Sequence, residues 1–246
     1  MAGVTTGQGG VQNTGRTPQA IVALDYPSTE SALALVARLG SSCRFYKVGS
    51  QLFTAAGPAA VEAIRNEGCD VFLDLKLHDI PNTVAGAVRS IRDMDVRLTT
   101  VHASGGRAML EAAVKAAGPS CGVLAVTVLT SLDAAGLAEI AGTGEASVAD
   151  TALRLAALAS SAGARGVVCS GEEAKLIRGR FGPTLELLVP GIRLPGDEPG
   201  DQSRIVTPEA AVAAGADYLV VGRSVTGASD PRVAMQSILE RILTAD

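Results

Sequence analysis

The chain has no Trp, and aromatic residues make up only 3% of its 246 positions. Its hydrophobic fraction is nevertheless 47%, and the Ala, Val and Leu that carry it suit helices covering a buried parallel sheet. No run of 18 apolar residues occurs, so a transmembrane helix is not expected. Residues 1–17, rich in Gly, Thr and Gln, lack the apolar core of a signal peptide and are expected to form a disordered leader. Basic clusters are missing too. Lys and Arg number 21 against 25 Asp and Glu, dispersed along the chain, for a formal net charge of −4. Neither a nucleic-acid surface nor an anionic-membrane surface is expected, and any anionic ligand must be bound locally. The four cysteines, Cys43, Cys69, Cys121 and Cys169, show no CxxC or Cys/His ligand spacing. They read as reduced structural thiols of a cytoplasmic protein, with no zinc site.

What the chain does have is regular alternation. From residue 19 onward, eight β-rich runs alternate with Ala/Leu-rich helical stretches. The strands are expected near 19–25, 44–49, 70–77, 97–102, 122–129, 166–170, 185–190 and 218–222. Helices are expected near 28–39, 55–67, 82–93, 106–117, 147–162, 172–179, 207–214 and 231–243, with Ser28, Thr207 and Asp230 as N-caps. Runs such as Ala20–Leu24 and Gly122–Leu129 are almost continuously apolar, as strands covered on both faces must be. Eight βα units over 18–246 with no internal linker predict a single-domain (β/α)8 TIM barrel. The rival is an open doubly wound sheet, but the first strand runs into Leu24-Asp25-Tyr26-Pro27 with no GxGxxG turn for a dinucleotide.

The third strand carries the most chemistry. Residues two apart on a strand share a face, so Val71, Leu73, Leu75 and Leu77 fall on one side and Asp74 and Lys76 together on the other. Removing both charges from water costs several kcal/mol per ion in order of magnitude, so the pair needs either a catalytic or a structural reason. Chemistry in such barrels sits at the C-terminal strand ends. There Asp25 ends strand one, Lys47 lies on strand two, and Asp74 and Lys76 lie on strand three. Taken alone, Asp25 reads equally well as a turn residue before Pro27, and Lys47 as a snorkelling surface lysine, as either does as a site residue; three consecutive strands placing unlike charges at one rim favour catalysis.

A second constellation is expected across the barrel. Strand seven leads into Pro190-Gly191-Ile192-Arg193 and a long polar loop containing Gly200, Asp201, Gln202 and Arg204, and strand eight ends in Val221-Gly222-Arg223. The loops after strands seven and eight form the usual phosphate site of this fold. Gly222 lets the backbone approach an anion, Arg223 can fork two of its oxygens, and Gln202 can bring an amide donor from mid-loop. The alternative is a plain surface connection. His78 and His102 read as structural histidines rather than general bases, and Glu172 and Glu173 as surface acids favoured by a helix dipole.

These residues together resemble the orotidine 5′-phosphate decarboxylase family in its bacterial branch. Asp74-Leu75-Lys76-Leu77-His78-Asp79-Ile80-Pro81-Asn82-Thr83 is similar to the family's DxKxxDIPNT signature, and Phe45-Tyr46-Lys47-Val48-Gly49 to its second-strand lysine motif. Val128-Leu129-Thr130-Ser131 resembles its pyrimidine-contacting turn, and the segments at 190–193, 200–204 and 221–223 its phosphate site. The resemblance covers about residues 19–243; Ser224 stands where the family often has proline. It implies conversion of orotidine 5′-monophosphate to uridine 5′-monophosphate and CO2 without metal or organic cofactor. Lys76 is then the proton donor, Asp74 faces the departing carboxylate, Lys47 lies between Asp74 and the ribose, and Asp25 meets a ribose hydroxyl. Thr130 is implied near the pyrimidine, and Arg193, Gln202, Gly222 and Arg223 at the phosphate. Asp79 and Thr83 are implied to reach the neighbouring subunit's site, which makes the protein a homodimer. Two rival readings stand beside this one: a Mg²⁺-dependent sugar-phosphate decarboxylase or aldolase of the same superfamily, and a catalytically dead phosphate-binding barrel acting as a regulator.

Overall fold

The computed structural model of the chain describes residues 17–142, 144–197 and 204–245. The expected leader, apart from Thr17, lies outside the described residues. In chain order the elements are β1 (Gln19–Ala23), α1 (Thr29–Leu39), β2 (Phe45–Gly49), α2 (Ser50–Ala56), α3 (Pro58–Asn66), β3 (Asp70–Leu77), α4 (Pro81–Asp93), β4 (Leu98–His102), α5 (Arg107–Ala117) and β5 (Gly122–Val126). There follow α6 (Ala134–Ala141), α7 (Val148–Ser161), β6 (Gly166–Val168), α8 (Gly171–Phe181), β7 (Glu186–Ile192), α9 (Pro208–Ala213), β8 (Tyr218–Val221), α10 (Arg223–Thr226) and α11 (Pro231–Leu243). The strands pair in chain order, all parallel, and β8 returns to β1 with Val22 opposite Val221, closing the barrel.

Strand alternation divides the core into two shells. Ile21, Phe45, Phe72, Leu98, Leu124, Leu188 and Val220 point inward and fill the barrel. Their sequence neighbours, among them Val22, Tyr46, Val71, Leu73 and Leu219, point outward and pack under the helices. Each such side chain removed from water contributes about 1.5–3 kcal/mol, which is why both faces of a short strand must be apolar. Asp74 and Lys76 follow Phe72 at a spacing of two and so inherit the inward face.

Ser28, Thr207 and Asp230 are N-caps as expected, each accepting from a backbone N–H of the first turn. Other boundaries differ. The helix read near 55–67 is two helices, α2 and α3, because Gly57 at φ 61° ends the first and Pro58 starts the second. The stretch left without structure between β5 and residue 147 contains α6, capped by Asp133, whose side chain accepts from the Gly136 N–H. Strand five stops at Val126 rather than 129, and strand seven continues to Ile192 rather than 190. Barrel closure also corrects the placing of the two charged constellations: β8 lies beside β1, so they adjoin through that pair instead of facing each other from opposite sides.

One ion pair inside the helical shell is structural. Arg178 on α8 and Asp217 before β8 have side chains only 1% and 6% exposed. The guanidinium also donates to the carbonyls of Gly182, Leu185 and Gly215, and Asp217 accepts from the Leu187 N–H. Every donor therefore has a use, and α8 is tied to β7 and the approach to β8. Asp217→Ala leaves the guanidinium buried without its carboxylate and should lower the unfolding free energy by about 3–5 kcal/mol in urea titration; a loss below about 1 kcal/mol would show that the pair contributes little.

Candidate active site

The charges expected at the rim of strands one to three form one connected row. The Lys47 ammonium donates to Asp25 Oδ1 at 2.8 Å and lies 4.0 Å from Asp74 Oδ2. The Lys76 ammonium donates to the same Asp74 Oδ2 at 2.7 Å. Asp74 is thus bracketed by two ammonium groups, and the row reads acid, base, acid, base. Its middle is sheltered, with the Lys47 and Asp74 side chains each 11% exposed, while Asp25 at 54% and Lys76 at 36% open to the mouth. Gly49 makes room for the row: a Cβ there would lie 2.8 Å from Lys47 Nζ and 3.1 Å from Asp25 Oδ1.

Lys76 does not sit in ordinary strand geometry. Its φ is 49°, in the left-handed region, a conformation that costs a non-glycine residue about 1–2 kcal/mol. The reason is visible in the ladder. β3 pairs with β4 through Leu73 opposite Thr99 and then Leu77 opposite Val101, so four steps of β3 are set against two of β4. Asp74, Leu75 and Lys76 occupy that bulge. Simple alternation predicts the correct face for both charges but not the bulge that aims them.

At β7 and β8 the second constellation is also assembled. Arg193, buried at 6% exposure, donates to the Ile192 carbonyl at 2.9 Å. That carbonyl also accepts from the Ser224 hydroxyl at 3.3 Å, so the serine ties α10, just after β8, to the end of β7. The loop after β7 is pinned where it returns, the Arg193 N–H donating to Val206 O and the Val206 N–H to Gly191 O. Arg204 donates to the carbonyls of Leu129 and Thr130 and pairs with Glu173. Glu173 is therefore no surface acid. It is 3% exposed, and with Ser170 it forms a reciprocal capping box at the start of α8.

A cavity of about 740 Å³ unites both constellations. Of the residues singled out from sequence, Asp25, Lys47, Asp74, Lys76, Thr130, Arg193, Gly222 and Arg223 all line it. Nothing stands within 4 Å of where a Gly222 Cβ would be, so the backbone there faces open space. Asp79 and Thr83 are not brought into this cavity; they are exposed at the end of β3 and the start of α4. Gln202 lies outside the described residues. Sequence reasoning missed the apolar floor, where Ala23, Phe72, Val126, Val168, Leu188 and Val220 line the cavity from the inner shell of the barrel. Their signal was present, since each is an inward position on a strand. It also missed Thr100, whose hydroxyl touches both Asp74 and Lys76. Among the described residues, no group of three His, Cys, Asp or Glu side chains is arranged to hold a metal ion.

A rim of paired acids and bases beside arginines, at the C-terminal end of a parallel barrel, defines a (β/α)8 enzyme acting on a small phosphorylated substrate. The family model described as orotidine 5′-phosphate decarboxylase / HUMPS matches residues 18–238. An orotidine 5′-phosphate decarboxylase of Halorhodospira halophila is 52% identical over 231 residues, covering 93% of this chain and 97% of that protein. One from Anaeromyxobacter sp. is 51% identical over 218 residues, covering 88% and 94%. The crystal structure of orotidine 5′-phosphate decarboxylase from Lactobacillus acidophilus superposes with a TM-score of 0.80 at 35% identity, covering 92% of this chain and 99% of that one. The chain belongs to the orotidine 5′-phosphate decarboxylase / HUMPS family.

The two histidines stack near the row, with ring centroids 5.4 Å apart and planes tilted by 38°. Burial, and then the neighbouring His78 and Lys76, hold the His102 imidazole below its ordinary value, against an opposing pull from Asp74. His102 is thus expected to stay neutral where an ordinary histidine begins to charge, and its resonances followed by NMR should titrate with a midpoint below about 6.5. Lys76→Ala removes a positive neighbour and should move that midpoint upward; no movement would place the lysine's charge too far away to matter.

Proposed function

We propose that this chain decarboxylates orotidine 5′-monophosphate to uridine 5′-monophosphate and CO2, the last step of de novo pyrimidine synthesis, with neither metal nor organic cofactor. The observation that carries the reading is Asp74 held between two ammonium groups, with Lys76 directed into the cavity mouth. The Ile80-Pro81-Asn82-Thr83 extension after Asp79 and the Asp201-Gln202 segment favour this reaction over a Mg²⁺-dependent one.

The difficulty of the reaction is electronic. Breaking the bond from C6 to the carboxylate leaves an electron pair in the plane of the ring, where the π system cannot take it up. Stabilisation must come from a nearby charge. Lys76 supplies it as an ammonium beside C6 and then donates the proton that replaces CO2, after which solvent reprotonates the amine. Asp74 orients Lys76 and faces the departing carboxylate. Two like unit charges 4 Å apart at an effective dielectric near 20 repel by about 4 kcal/mol, and such repulsion is relieved as CO2 leaves. Lys47 joins Asp74 to the ribose side of the cavity, Asp25 takes a ribose hydroxyl, and Thr130 takes the pyrimidine edge. Arg193, Arg223, the Gly222 N–H and Gln202 hold the phosphate. Binding energy gathered at that remote group assists the reaction only where it is spent on positioning and water exclusion.

Asp79 and Thr83 belong to the same reading as residues contributed to a second copy's cavity. They are exposed, lie outside their own cavity, and flank Ile80, an apolar side chain 68% exposed. A homodimer with shared sites accounts for all three. The cytoplasmic location is part of this reading too, supported by four cysteines that are free and buried. Among the described residues, no helix is long and apolar enough to cross a membrane.

Protein stripped with EDTA should release CO2 from orotidine 5′-monophosphate at an undiminished rate, and Lys76→Ala should lower turnover by about 10³-fold or more while uridine 5′-monophosphate still binds. Activity that vanishes with EDTA and returns with Mg²⁺ would move the assignment to the sugar-phosphate branch. Mixing inactive Lys76→Ala and Asp79→Ala protomers should restore part of the activity, since hybrid dimers contain one intact site. No recovery after verified subunit exchange would refute sharing.

A further inference from the structure

Thr100 lies on β4, one strand from the reacting side chains, and its side chain is fully buried. It does not line the cavity, so it does not meet the substrate. Its hydroxyl oxygen accepts from the Lys76 backbone N–H at 2.9 Å and donates to Asp74 Oδ1 at 2.9 Å. Chemistry fixes the direction of both bonds. A backbone amide only donates and an ionised carboxylate only accepts, so the hydroxyl's one proton must point to Asp74.

We infer that Thr100 is a positioning residue for the reaction, setting the orientation of both Asp74 and Lys76 from behind the site. The inference rests on the decarboxylase reading above. Two consequences of the hydroxyl support it. First, the bulge in β3 removes Lys76 from the regular ladder, and the Thr100 oxygen supplies the acceptor for its N–H. That bond holds the lysine backbone at its left-handed φ of 49°. Second, donation to Oδ1 fixes the carboxylate plane and leaves Oδ2 as the oxygen shared by Lys76 and Lys47. The bonds close a ring, from the Lys76 N–H through Thr100 and Asp74 back to the Lys76 ammonium. The start and the tip of the lysine side chain are therefore referenced to a single hydroxyl. Threonine suits the post because its branched Cβ restricts χ1, which keeps the hydroxyl from turning away.

The test compares Thr100→Val, which keeps shape and removes both bonds, with Thr100→Ser, which keeps the hydroxyl. Steady-state decarboxylation, uridine 5′-monophosphate affinity and hydrogen exchange at the Lys76 amide are measured on all three proteins. Thr100→Val should lose kcat by about a hundredfold, as displacement of a reacting group by an ångström does. Its nucleotide affinity should stay within about twofold and the Lys76 amide should exchange faster. Thr100→Ser should recover kcat to within about threefold of the parent and restore protection of that amide. Should the Val variant fail to fold, Thr100→Ala carries the same expectations. A kcat unchanged in the variant without a hydroxyl, an equal loss of nucleotide affinity, or a Ser variant as slow as Val would each overturn the inference. Parent protein that releases no CO2 would instead remove the decarboxylase reading, leaving the amide-exchange comparison to report on the ring itself.

Discussion

The site depends on one carboxylate. Asp74 is nearly buried above the apolar inner shell of the barrel, and an isolated carboxylate there would cost several kcal/mol in order of magnitude. Its partners are Lys76, Lys47 and the Thr100 hydroxyl, and each of these comes from a neighbouring position in the β2, β3 and β4 series. Pairing strands in chain order is what brings them together. Removing the pairing would leave Lys47 without Asp74 and Asp74 without the Thr100 hydroxyl, so the ordered pairing of β1 to β4 and the integrity of the row are one constraint.

The strand conformation required by the fold and the geometry required by the row conflict at Lys76. Regular pleating would keep its N–H in the ladder and send its side chain straight across the barrel. The bulge of β3 takes Lys76 out of that register, and the left-handed backbone turns it toward Asp74. Local strain is tolerable here because the surroundings over-determine it, with one bond at the backbone and one at the ammonium. A lysine held at both ends does not need to be ordered anew when substrate arrives.

How much of this was legible in the sequence follows from how local each signal is. The eight alternations, the barrel, and the inward face shared by Asp74 and Lys76 rest on period two and period 3.6, which a single segment displays. Asp25, Lys47, Arg193 and Arg223 were found because strand ends in a barrel converge. The bulge was not legible, since register is a property of two strands. Thr100 was hidden in Leu98-Thr99-Thr100-Val101-His102, where two adjacent threonines look alike until alternation assigns one to each face: Thr99 donates outward to the Leu73 carbonyl and Thr100 faces the site. Glu173 shows the same limit. The Ser170-x-x-Glu173 spacing marks a helix start, yet its burial depends on Arg204, which reaches it only after β7 and the following loop have returned.

The polarity of the cavity completes the picture. Carboxylates gather at the ends of β1 and β3, whereas the arginines that line the cavity come after β7 and β8. Because β8 lies beside β1, these regions form one continuous surface that passes from a balanced row of two carboxylates and two ammonium groups to a region of arginines. On the proposed reading, a ligand carrying a phosphate at one end is drawn to the arginines rather than to the balanced row, and that orientation delivers its far end to Lys76 and Asp74. On a chain with a net charge of −4 this local field has to work against the long-range one. Screening limits the long-range repulsion to about 8–10 Å at physiological salt, which on the proposed reading leaves short-range pairing with Arg193 to decide the outcome once the phosphate has entered.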